Sequence, residues 1–313
     1  MRLEEFTTDN NEGVVYDGMY PHWRNSYPGG EYIQLFIHYT REDNPNADWC
    51  RWNSNVWGHV TDVPGEVAQN TENPFADYHH VLIPYCTGDI HWGNQTQTYG
   101  SGNSEVTIHH KGGVNAQAVL DWIAANYEEP EHLFVTGCSA GAYGSIMWAP
   151  HLVEMFPDAT MSQFGDSGAG IVTEAWFAES FPSWNGEFAF PEHIPSLDPS
   201  VVDVSQKSTA DLYAEVSNFY PDHVFSQFNT YWDSVQVRYF QFMGGGNAEE
   251  WNLNMLGNLE RIQSSTANFS SYTAGGDRHC IITSDALYFR YETYLVALQR
   301  SMVVIQQVVH LSI

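Results

Sequence analysis

Short apolar, β-rich runs alternate with stretches of helical periodicity along this chain, the pattern of an α/β fold with a largely parallel sheet. Strands are predicted over residues 32–39, 80–84, 132–136, 161–164 and 224–228. The clearest helix is predicted over 114–127, where Ala116, Val119, Leu120 and Ile123 fall at i, i+3, i+4 and i+7. Glu128-Glu129-Pro130 ends it before the next strand. A second helix is expected after Gly141 and a third over about 247–262. No repeat, low-complexity linker or charge block divides the chain. At 313 residues it is read as a single α/β domain over 1–313, long enough to bury its own core.

Charge narrows the partners. Eleven Lys+Arg stand against 38 Asp+Glu, a formal net charge of −27, while 43% hydrophobic and 15% aromatic residues argue for a folded chain. With Lys111 and Lys207 as its two lysines, the protein is poorly built to meet nucleic acid, an anionic membrane or an acidic polymer. No apolar run approaches the roughly 18 residues of a membrane span. The start, Met1-Arg2-Leu3-Glu4-Glu5-Phe6, lacks the features of a signal peptide, so either the protein is cytoplasmic or the sequence begins after the signal. The cysteines, Cys50, Cys86, Cys138 and Cys280, form no CxxC pair, and their pairing stays open.

The chemistry centres on Leu133-Phe134-Val135-Thr136-Gly137-Cys138-Ser139-Ala140-Gly141. An apolar strand enters Gly-x-Ser-x-Gly and small residues open a helix, the context a nucleophile elbow requires. Ser139 would sit on a sharp turn with its hydroxyl presented. Gly137 and Gly141 would let strand and helix approach, and the Ala140 N–H would meet a developing oxyanion. A serine nucleophile needs a base and an orienting acid, in the order Ser…Asp/Glu…His. Among fourteen histidines His279 fits the base, because it follows a short strand and the loop Gly275-Gly276-Asp277. For the acid, Asp233 and Asp166 are equal on pattern, with Asp277 and Glu249 as further rivals.

Other clusters read more plainly. Neighbours on a strand point to opposite faces, so His79-His80 and His109-His110 are structural or surface histidines and not metal ligands. Gly244-Gly245-Gly246 is a loop before a helix, with no phosphate-cradle fingerprint around it. Asn94-Gln95-Thr96 and Asn268-Phe269-Ser270 match the glycosylation acceptor pattern. Most of the eleven tryptophans belong to the core.

Five words resemble the pectin acetylesterase/Notum family of serine carboxylesterases, in particular its microbial branch. They are Ile83-Pro84-Tyr85-Cys86-Thr87-Gly88-Asp89, Gly137-Cys138-Ser139-Ala140-Gly141, Gly165-Asp166-Ser167-Gly168, Gln227 with Asp233 and Gln236, and Gly276 with His279. They run in family order over about 73–288. The resemblance implies an α/β-hydrolase-like fold, Ser139 as nucleophile, Asp233 as orienting acid and His279 as base. It puts Asp166 beside the pocket in support of the elbow, and the loop carrying Asp89, His91 and Trp92 beside the substrate. The implied activity is deacetylation of a carbohydrate ester, in a secreted protein, with no metal or organic cofactor. One departure stands out. The family's Gly-Gly-Gly-Ala-Cys-Trp-like oxyanion loop is replaced at 40–46 by Thr40-Arg41-Glu42-Asp43-Asn44-Pro45-Asn46, which contains no glycine. The alternative expectation is therefore a catalytically impaired, carbohydrate-binding member.

Overall fold

The computed structural model describes residues 33–34, 81–83, 85, 87–102 and 105–282. They fall into two compact units, one drawn from 1–126 with 182–189, the other from 127–181 with 190–313.

In the first unit β1 (Ile33–Gln34) and β2 (Val81–Leu82) pair in parallel. A hairpin of β3 (Gln95–Tyr99) and β4 (Val106–His110) is antiparallel, in register from Gln95↔His110 to Tyr99↔Val106. The hairpin was not predicted from hydrophobic runs, and its composition explains why. Its face carries Thr96, Thr98 and Thr107 hydroxyls, with Thr98 Oγ1 and Thr107 Oγ1 3.0 Å apart. Such cross-strand hydroxyl pairs stabilise a hairpin without apolar alternation. Helix α1 (Gly112–Asn126) follows, close to the predicted 114–127, and buries Ala116, Val119, Leu120 and Trp122.

The second unit holds a four-stranded, wholly parallel sheet in the order β5-β6-β7-β8. Its strands are His132–Cys138, Thr160–Asp166, Val224–Thr230 and Phe269–Ala274. The intervening helices are α2 (Ala140–Met155), α3 (Glu174–Trp184), α4 (Thr209–Phe219), α5 (Ser234–Phe242) and α6 (Ala248–Ser265). Helix α2 packs on β5 and β6, and α4 and α6 pack on each other. Ile146, Met147, Met161, Tyr213, Phe225 and Trp251 are among the fully buried residues of this core. The α/β fold class read from the sequence, with a mostly parallel sheet flanked by helices, is thus realised, with the predicted strands over 132–136, 161–164 and 224–228 each two residues short at the carboxyl end. Those missed residues, Gly137 and Cys138, Gly165 and Asp166, Asn229 and Thr230, are the small and polar positions nearest the chemistry. Consecutive parallel strands linked by helices bring all four carboxyl ends to one edge of the sheet, where α/β folds assemble ligand sites.

Among the described residues no helix is long and apolar enough to cross a membrane. Residues 40–46, His79, His80, Cys50 and Cys86 lie outside the described residues.

Candidate active site

Ser139 joins β5 to α2 with φ 57° and ψ −117°. A serine with positive φ is strained by about 1–3 kcal/mol, so its surroundings must hold it there. The Ser139 N–H donates to the Asp166 carbonyl at 2.8 Å, and the Ser139 carbonyl accepts from the Ala142 N–H at 2.9 Å. Gly137 is required sterically, since a Cβ there would fall on the Gly141 carbonyl. The companion expectation for Gly141 needs correction, because a Cβ built on Gly141 meets nothing within 4 Å. The Ser139 side chain makes no capping bond to α2, so its hydroxyl is not consumed by the helix it precedes. Ala140 opens that helix, where the first backbone N–H groups have no intrahelical acceptor.

The structure brings Asp233 and His279 together. His279 Nδ1 lies 2.9 Å from Asp233 Oδ2 and 3.0 Å from Oδ1, and the Asp233 side chain is fully buried. Asp233 caps α5, accepting from the Val235 and Gln236 N–H groups at 3.1 and 3.0 Å, so two otherwise unpaired helix donors hold its carboxyl in place. Its Oδ2 also accepts from Gln236 Nε2 at 2.9 Å. With Nδ1 held by the carboxylate, the imidazole presents Nε2 elsewhere.

Asp166, the rival acid, is used differently. Its Oδ2 accepts from the Ile281 and Ile282 N–H groups, each at 2.7 Å, and Ser167 Oγ accepts from the Cys280 N–H at 2.9 Å. Asp166 and Ser167 together clamp the segment just after His279. Burial pushes the Asp166 carboxyl up to about 6 despite those backbone donors and the nearby His279. A disulfide joins Cys138 to Cys280, with 5.8 Å between their Cα atoms. Each cysteine is the chain neighbour of one proposed catalytic residue, so the Cα atoms of Ser139 and His279 lie within about 13 Å of each other. This pairing was open in the sequence, although the adjacency of both cysteines to Ser139 and His279 was visible there. Tyr143, pushed up to about 12 by burial, accepts from the Gly170 N–H at 3.2 Å.

In the first unit Asp89 is fully buried. Its Oδ1 accepts from Thr87 Oγ1 at 2.5 Å and the His91 N–H at 3.2 Å, and its Oδ2 from the Gly112 N–H at 2.7 Å. The carboxylate therefore organises its own loop and the start of α1. His91 is buried, and desolvation pushes it down to about 4, so it is neutral near pH 7. Trp92 is also buried. His110 is buried between Tyr99 OH and the Thr87 carbonyl, each 2.9 Å away, as a structural histidine. Asn268, in one glycosylation pattern, spends its Nδ2 on the carbonyls of Ser217, Tyr220 and His223, which is the atom a glycan would need. Among the described residues, the one three-ligand cluster of His, Cys and carboxylate side chains is Cys138, His279 and Cys280.

A family model described as Pectinacetylesterase matches residues 53–272. Among solved structures, two crystal forms of the Wnt deacylase Notum from Drosophila are similar. Each is 17% identical and covers 74% of this chain, with 68% and 69% of their own length matched and TM-scores of 0.47 and 0.48. No curated protein matches the chain.

Proposed function

The chain belongs to the pectinacetylesterase family, a carboxylesterase family, and from that premise we propose a serine ester hydrolase working through Ser139, His279 and Asp233. The observation that carries the reading is the bond from the fully buried Asp233 to the partly exposed His279, tethered through Cys280–Cys138 to the strained residue Ser139. His279, held in one tautomer by Asp233, takes the Ser139 hydroxyl proton as Oγ attacks the ester carbonyl. The Ala140 N–H meets the oxyanion at the start of α2. The leaving alcohol departs with that proton and an acyl-enzyme remains. Water attacks the acyl carbonyl as His279 takes its proton, and His279 then returns that proton to Ser139 Oγ as the acid is released. The substrate is an acylated carbohydrate and the acyl group acetate, a class taken from the family. The match to 53–272 runs through both compact units, which supports one catalytic module. Secretion is the favoured location, supported by the disulfide, which belongs to an oxidising compartment, and by the habit of the family.

Hydrolysis of p-nitrophenyl esters from acetate to octanoate, by wild type and Ser139→Ala, tests the reading. Turnover is expected to fall at least about 10³-fold in the variant, with short chains preferred. A folded wild type as inert as Ser139→Ala overturns it.

A further inference from the structure

The geometry points to a latent soft-metal site made of Cys138, Cys280 and His279, created when their disulfide is reduced and able to take the base away from catalysis. The two sulfurs and a ring nitrogen of His279 all lie within 4.8 Å of one another. Around a tetrahedral zinc ion, at about 2.3 Å to sulfur and 2.0–2.1 Å to nitrogen, ligand atoms sit about 3.3–3.8 Å apart. Opening the S–S bond frees both side chains to rotate about their Cα–Cβ bonds, which moves the sulfurs apart toward that spacing with the Cα atoms remaining 5.8 Å apart. Two thiolates and an imidazole are the ligand set that favours Zn²⁺, Cd²⁺ and Co²⁺ over hard cations.

A second observation comes from behind the imidazole. Asp233 holds Nδ1 at 2.9 Å, which leaves Nε2 as the ligand atom. A carboxylate on the far ring nitrogen is the usual support of a metal-binding histidine, because it fixes the tautomer and raises ligand basicity. The clamp of Asp166 and Ser167 on residues 280–282 does not pass through the disulfide, so the Cys280 segment stays anchored after reduction. Cys138 and His279 are partly exposed while Cys280 is buried, which gives an ion an approach from one side.

The chemistry balances with a trialkylphosphine as reductant. Phosphine, disulfide and water give phosphine oxide and two thiols, and metal binding then releases the two thiol protons. In the disulfide the sulfurs are not thiolates and the site is closed. In the reduced form, zinc on Nε2 blocks the nitrogen that must accept the Ser139 proton. The inference adds a redox-gated inhibitory site to the proposed esterase, and its spectroscopic test is independent of that activity.

The full chain, reduced with phosphine under argon, is titrated with Co²⁺. Thiolate-to-cobalt charge-transfer absorption and tetrahedral visible bands are expected at one ion per chain. They should be absent from the oxidised protein and from reduced Cys138→Ser and His279→Ala. Zn²⁺ should lower ester turnover of the reduced protein by about 10² or more, the usual contribution of a general base, and a chelator should restore it. Should reduction unfold the chain, Zn²⁺ must restore its far-ultraviolet circular dichroism. Bands of equal strength in Cys138→Ser, no bands in folded reduced wild type, or no restoration of an unfolded one each overturns the site. Ester-inert protein that still shows the cobalt spectrum would overturn the esterase reading and leave this one standing.

Discussion

The Gln236 amide donates from Nε2 to Asp233 Oδ2 at 2.9 Å and Asn229 Oδ1 at 3.1 Å, while its Oε1 accepts from the Ala169 N–H at 2.9 Å. One orientation alone satisfies all three, so the amide fixes the buried carboxylate that faces His279. Gln236→Leu should lower kcat on p-nitrophenyl acetate on the order of tenfold, with KM little changed, because one bond of about 1.5 kcal/mol to a charged group is lost. An unchanged kcat would mean that the backbone donors of 235 and 236 position Asp233 unaided. Asp166 makes a different case. Its carboxyl is pushed above its ordinary value to about 6 by burial, so the folded chain binds a proton there that the unfolded chain releases near pH 4. Its contribution to stability is present below about pH 4 and lost as pH rises through about 6. Asp166→Asn keeps the acceptor for Ile281 and Ile282 without the charge, so the melting temperature of the variant minus that of wild type should grow from pH 4 to pH 7. A difference that shrinks over that range contradicts the assignment. On pattern alone the two acids were equal, because Asp166 and Asp233 both follow parallel strands, and the family resemblance was what singled out Asp233. The placement of residues 279–282 supplies the physical difference, one acid bonded to the His279 ring and the other to the backbone just after it.

Elements were legible where their signal is local. The elbow was readable because strand, Gly-x-Ser-x-Gly and helix are contiguous, and α1 and α6 because their apolar residues recur at helical spacing. Helices α3, α4 and α5 went unread. Glu174–Trp184 carries an internal Pro182, and α5 buries little beyond Phe240, so neither offers a clean apolar stripe. Helix α4 is announced by a capping box instead. Ser208 Oγ accepts from the Asp211 N–H and the Asp211 carboxylate accepts from the Ser208 N–H, with Arg261 of α6 bonded to both side chains. Ser208→Ala should therefore cost about 1 kcal/mol in urea unfolding. At the elbow, the strand and helix approach asymmetrically. Gly137→Ala should lower stability by about 1–3 kcal/mol by overpacking against the Gly141 backbone, whereas Gly141→Ala should leave it nearly unchanged. Equal losses in thermal unfolding would contradict the one-sided contact.

At the scale of the whole molecule the charge is the dominant fact. Eleven Lys+Arg can neutralise at most eleven of the 38 Asp+Glu, and among the described residues Lys207–Glu215 and Arg261–Asp211 use two of those cations locally. The remaining excess repels itself in the folded state more than in an expanded chain, because folding brings the charges closer. Salt should relieve this. The screening length falls from about 30 Å at 0.01 M to about 3 Å at 1 M, which silences repulsion between surface charges. The melting temperature should rise with NaCl by several degrees, equivalent to about 1–2 kcal/mol. KCl at equal ionic strength should do the same, since screening does not depend on the identity of a monovalent cation. A flat response would mean that the acidic residues are spaced too widely to repel. A response to one cation and not the other would point to specific ion binding, because only the sites that bind an ion distinguish sodium from potassium.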